Sequence, residues 1–134
     1  MSYDNALKFC LRFHTVEEAA AWRAEAKLTF GGRTDHDEIL RCFQRVGRKS
    51  KAKEFRAEWD VAYWDAAAQG AMNDLMELAL KHRGQAAGIR IGEDDTDVEH
   101  YEWSDCEFVD GKYEPENLYP AHAFYYSRSI QWSK

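Results

Sequence analysis

The stretch from Lys51 to Arg83, KAKEFRAEWDVAYWDAAAQGAMNDLMELALKHR, has no proline and mixes helix formers with large apolar side chains throughout. Phe55, Trp59, Ala62, Tyr63 and Ala66 are linked by spacings of three and four, which predicts a helix with one stripe turned to a core. Beyond Gly70 the apolar residues Ala71, Leu75, Leu78 and Ala79 fall on the opposite side of an ideal helix. The expectation is therefore one long central helix, buried nearly all round or bent near Gly70. Ser50 would cap its start and Gly84 would end it in a left-handed turn.

The segments before it give shorter signals. Leu7, Phe9, Leu11 and Phe13 alternate with Lys8, Cys10, Arg12 and His14, the period of two of a strand with one face in a core and one in water. Thr15-Val16-Glu17-Glu18 is a capping box that opens a helix through Trp22 to about Lys27, and Gly31-Gly32 stops it. Asp35 to Glu38 is a second capping signal. Ile39, Leu40, Phe43 and Val46 follow at helical spacing, with Gly47 as the expected C-cap. Residues 48–53 read as a basic linker.

Past Gly84 the pattern turns extended. Ala87 to Ile91 predicts a short strand, Glu93 to Asp97 a turn, and His100 to Val109 another strand. Val109-Asp110-Gly111-Lys112 carries the Asp-Gly signal of a two-residue hairpin. Pro115 closes the second arm, and Ala121 to Trp132 predicts one last strand. With no repeat and a length of 134 residues, the expectation is a single α+β domain over 1–134. It would be a two-layer sandwich whose mainly antiparallel sheet, the N-terminal strand plus three to four C-terminal strands, is covered on one face by three helices inserted after strand 1.

Charge is distributed more tellingly than the net value of −6 suggests. From Arg41 to Arg56 seven basic residues face one acid, a net of +6; from Glu93 to Glu116 eleven acids face one base, a net of −10. Such polarity guides partners rather than folds. No basic segment followed by an apolar run opens the chain, and charges interrupt every apolar run, so the expected location is the cytoplasm with no membrane partner. Cys10, Cys42 and Cys106 are too widely spaced for a disulfide framework or zinc ribbon, and no cofactor is expected.

Chemical motifs are sparse. Taking Asp95, Asp97 and Glu99 as the first ligands of a calcium loop puts His100 where glycine is needed and Cys106 where glutamate is needed. The five histidines lack metal-binding spacing. Cys10 lies between Lys8 and Arg12, charges that would lower its pKa, but it has no paired base to make it a catalytic thiol. Gly31-Gly32 follows a helix rather than a strand, the wrong context for a phosphate cradle.

Three functional expectations follow. In the first, Asp94, Asp95, Asp97, Glu99, Glu102 and Trp103 form an acidic, aromatic surface that occupies a basic or nucleic-acid-binding surface of a partner protein, the general character of small phage anti-defence or immunity-type inhibitors. In the second, Arg45, Arg48, Lys49, Lys51, Lys53 and Arg56 bind nucleic acid, against a helix dipole and an acidic whole. In the third, an enzyme site is assembled from distant groups such as His100 and His122. A homo-oligomer in which basic and acidic segments meet is compatible with each.

Overall fold

The computed structural model describes residues 5–92 and 97–103, together with the backbone of 108–109, 112–113, 124–126 and 130–132. The protein is an α+β two-layer sandwich. A five-stranded antiparallel sheet of order β2-β3-β1-β4-β5 carries three helices against one face. The elements are β1 (Asn5–Arg12), α1 (Val16–Phe30), α2 (Thr34–Cys42), β2 (Phe43–Arg45), β3 (Glu54–Val61), α3 (Ala66–Lys81), β4 (Gln85–Ile91) and β5 (Val98–Trp103). With β1 between β3 and β4, and β3 between β1 and β2, the first four strands form a split βαβ arrangement.

The first half of the expected central helix is a strand. Phe55, Ala57, Trp59 and Val61 alternate with Glu54, Arg56, Glu58 and Asp60, a period of two hidden because Phe55 and Trp59, four apart, satisfy both periods. Tertiary pairing decides the matter: β1 offers a full antiparallel partner, from Asn5 opposite Val61 to Arg12 opposite Glu54. The helix proper begins after Asp65, which caps it by accepting the Ala68 N–H at 2.9 Å, and it continues through Gly70. Ser50 caps nothing of the kind, since no helix starts there.

The second helix is also shorter than its pattern. Arg33 precedes it without a side-chain cap, while Asp37 accepts the Gly32 N–H at 3.0 Å. The chain leaves the helix at Phe43 to become the edge strand β2, and Gly47, at φ 94°, sits in the turn between β2 and β3 instead of at a helix end. All three helices follow strand 1, but not as one block, because β2 and β3 separate α2 from α3. The capping box at Thr15 and Glu18 forms as expected. The left-handed residue after α3 is Arg83, at φ 65°, one position before Gly84. Gly84 serves another need: a Cβ there would lie 2.5 Å from the Phe13 ring.

Leu7, Phe9, Leu11 and Phe13 project from β1 into the helical layer, where Trp22 is fully buried and donates its indole N–H to the Leu75 carbonyl at 3.0 Å. α1 contributes Ala19, Trp22 and Ala26, and α3 contributes Ala71, Met72, Leu75, Met76 and Ala79. The other face of β1 is not uniformly wet, because Cys10 is buried there with Ala87, Ile89 and Ile91. At the centre of the helical face, Phe9 lies across Gly88 and touches the rings of Trp59, Trp64, Tyr101 and Trp103 at centroid distances of 5.8 to 6.1 Å.

Late in the chain, β6 (Phe108–Val109) and β7 (Lys112–Tyr113) pair antiparallel, Val109 opposite Lys112, as the Asp-Gly signal predicts. Residues 121–132 do not form one strand. β8 (Phe124–Tyr126) and β9 (Ile130–Trp132) fold back on each other, Tyr126 opposite Ile130. These four strands form two small sheets rather than joining the main one. The expected turn at Glu93 and the end of the Pro115 arm lie outside the described residues.

A Cβ at Gly88 would stand 2.2 Å from the Phe9 ring, which four other aromatic side chains hold in place. Gly88→Ala is therefore expected to lower stability by about 2 kcal/mol through overpacking. Denaturant unfolding measures it, and Phe9→Leu in the same chain should recover part of the loss.

Candidate functional site

The basic segment is a β-hairpin. β2 and β3 pair from Phe43 opposite Ala57 to Arg45 opposite Phe55, the Val46 N–H continues the ladder to the Glu54 carbonyl at 3.0 Å, and residues 47–53 form the turn. Ala52 is buried under the turn and Phe55 anchors the returning strand in the core. Arg45, Arg48, Lys49, Lys51 and Lys53 are all exposed, and none forms an ion pair among the described residues. The helix dipole expected to oppose these cations is absent, since they lie on strands and a turn.

The roots of the hairpin are basic as well. Arg23 of α1 donates to the Phe43 carbonyl at 3.3 Å and lies over the Phe55 ring at 5.4 Å. Burial and the nearby Arg45 charge both lower its pKa, so like charges are already crowded here. Arg56, the sixth predicted residue, belongs to the other face of β3, where its Nε lies 3.3 Å from the Glu54 carboxylate. Arg12 donates to the same carboxylate at 2.6 Å. Burial pushes Glu54 up, but the bonds from Arg12 and Cys10 prevail and hold it below the usual carboxylate range.

Cys10 is not the reactive thiol its neighbours suggest. Its Sγ donates to Glu54 at 3.1 Å, and burial together with the Glu54 charge pushes its pKa far above the ordinary thiol value, outweighing Arg12 and Arg56. Burial, followed by the Glu38 charge, also raises Cys42.

The four described residues of the six expected on the acidic surface do not share one face. Asp94 and Asp95 lie outside the described residues. Asp97 and Glu99 are held by Arg90, a buried side chain of β4, whose Nη2 is 2.7 Å from each carboxylate; Nη1 reaches the Asn5 amide oxygen at 2.8 Å. Gly92 admits this approach, for a Cβ there would meet the Asp97 carboxylate at 2.1 Å. Glu99 also accepts from Tyr101, and Trp103 donates to Asn73 at 3.0 Å while lying half-buried in the Phe9 cluster. Glu102 is exposed and belongs to the opposite face of β5 from Glu99 and Trp103. His100 is exposed on that face too, and His122 lies outside the described residues, so no catalytic pairing is described.

The strand order separates the charges that the sequence separates. β2 with its basic turn is one margin of the sheet and β5 the other, about 19 Å apart at normal strand spacing. Residues 5–92 hold fifteen basic against twelve acidic side chains, a net of +3, so the body bearing the hairpin is basic although the chain is acidic. Among the described residues no three His, Cys, Asp or Glu side chains converge to hold a metal ion, and no helix is long and apolar enough to cross a membrane. Sequence reasoning missed a groove of about 380 Å³ between α2 and the end of β3, because its walls come from residues up to 33 positions apart, Asp35 to Ala68.

No family model, curated protein or solved structure matches this chain.

The Arg90 cluster makes acid stability testable. Asp97 lies below its ordinary 3.8 through its bonds to Arg90, and Glu99 below its ordinary 4.5 through Tyr101 first and Arg90 second. Depressed carboxylates contribute stability that is complete above their ordinary values and is lost as pH falls through the folded ones. Unfolding free energy should hold steady down to about pH 4.5 and then fall, more gently in Arg90→Met; equal acid slopes in the two proteins would contradict the assignment. For the thiols, Cys10 in a Cys42→Ser, Cys106→Ser chain should resist iodoacetamide until denaturant is added, as read by mass spectrometry.

Proposed function

We propose that this protein binds a polyanion, nucleic acid in the first place, through the β2–β3 hairpin. One observation carries the reading: five exposed Lys and Arg side chains share β2 and the hairpin turn, and none of them forms an ion pair among the described residues. Cations so placed displace the counterions condensed on a phosphate backbone, and the affinity they contribute is sequence-independent and steeply salt-dependent. The core-anchored Phe55 and the buried Ala52 fix the base of the hairpin, so its cations are presented from a rigid support. Of the acids after residue 92, the described Asp97, Glu99 and Glu102 lie on the far margin of the sheet, beyond a Debye length at physiological salt.

A second reading keeps one observation in its favour. Glu102 is exposed on the acidic margin, as a surface for a basic partner protein requires. Asp97 and Glu99 serve it less well, since Arg90 already neutralises them.

Fluorescence anisotropy with a labelled DNA duplex separates the two. If the five cations contact phosphates, the log–log slope of affinity against salt should be about −4.5, roughly a 500-fold loss from 50 to 200 mM salt. Lys49→Ala, Lys51→Ala and Lys53→Ala together should reduce the slope to about −2. Absence of binding at low salt, or an unchanged slope in the triple variant, overturns the hairpin reading and leaves the acidic-margin one.

A further inference from the structure

The outer margin of the sheet on the β2 side is stepped. β2 runs beside β3 only from Phe55 to Ala57, so Glu58 to Val61 have no strand neighbour on the side away from β1 among the described residues. The groove of about 380 Å³ lies along this uncovered half, walled by Trp59, Tyr63 and Trp64 and lined by Asp35, Glu38 and Asp60. Tyr63 is 67% exposed, unusual for so large a side chain. None of these three carboxylates has a cationic partner among the described residues.

Each feature selects the same kind of occupant. An uncovered strand invites an added extended segment. Aromatic faces beside unneutralised carboxylates favour an ammonium or guanidinium group. The other half of the same margin supplies both: β2 is extended and carries Arg45, and the turn beyond it carries Arg48, with Val46 exposed between them. A chain cannot seat its own turn in its own groove. The turn adjoins Glu54 and the groove adjoins Val61, at opposite ends of β3 and about 23 Å apart.

We infer that two copies of this chain form a two-fold dimer in which the basic β2 half of each margin fills the acidic, uncovered half of the other. A two-fold axis perpendicular to the sheet runs the two margins in opposite directions, so the steps interlock and each groove receives one hairpin. The contact is self-complementary and closes at two copies. It lies apart from the acidic margin at β5, does not require nucleic acid, and competes with a bound polyanion for Arg45 and Arg48.

Sedimentation velocity on nuclease-treated protein tests this. The parent should be dimeric at low salt and monomeric at high salt. Glu38→Lys with Asp60→Lys should be monomeric at both, as should Arg45→Glu with Arg48→Glu, because each variant places like charges across both halves of the contact. Mixed in equal amounts the two variants should form a heterodimer, since reversed charges then face each other in one half and native charges in the other. A parent that is monomeric at low salt, or a groove variant that dimerises like the parent, overturns the inference. So does a mixture that stays monomeric while both variants keep the parent's circular dichroism. Should a variant not fold, amide exchange at residues 58–61 of the parent decides: protection that grows with protein concentration supports the dimer, and protection independent of concentration refutes it.

Discussion

The placement of Phe9 on Gly88 is the contact on which this architecture turns. β1 is the central strand, and Phe9 is its midpoint on the helical face, opposite Ala57 on one side and Gly88 on the other. With no side chain at Gly88, the ring lies down over β4 and leaves room for Tyr101 and Trp103 of β5 to stack beside it. Trp59 of β3 and Trp64 of the following link approach from the other side. One ring thus ties four strands and the link before α3 into a shared aromatic layer, where edge and offset contacts add to the area buried.

Around that layer the charges are sorted by strand order. The basic hairpin is hung on β1 through β3, the acidic segment through β4, and a central strand placed early in the chain has both as neighbours. Separation along the sequence becomes separation across the sheet because the β2–β3 hairpin adds to one side of β1 while β4 and then β5 add to the other. Among the described residues of β4 and β5, Arg90 is the one Lys or Arg, and its capture of Asp97 and Glu99 is a structural contact. Three carboxylates that form no ion pair among the described residues, Asp35, Glu38 and Asp60, line the groove on the hairpin side instead.

Local chemistry was legible wherever one signal stood unopposed. The Leu7 to Phe13 alternation, the Thr15 capping box and the pairing of Val109 with Lys112 follow from sequence because nothing nearby competes with them. The fold class was legible from the order of such segments. Glu54 to Val61 was misread because Phe55 and Trp59 fit a helix and a strand equally, and the arbiter, β1, lies some fifty residues away. The same error hid the hairpin: assigned to a linker and a helix start, its cations were judged against a dipole that does not exist. Residues 121–132 were misread because their composition is strand-like throughout, while the reversal between Tyr126 and Ile130 has no glycine or proline to announce it. Cys10 illustrates a further limit, since flanking charges are visible in sequence and burial beside Glu54 is not.

The ends of the β4–β5 connection are fastened to each other independently of what lies between them. The Gly92 N–H reaches the Asp97 carbonyl at 2.8 Å, and two residues back Arg90 grips the Asp97 side chain. Closing a loop costs entropy that grows only slowly with its length once its mouth is fixed. The connection therefore behaves as a socket: foreign peptide spliced between Gly92 and Asp97 would start and finish at points the fold already holds together, on the margin of the sheet farthest from the hairpin.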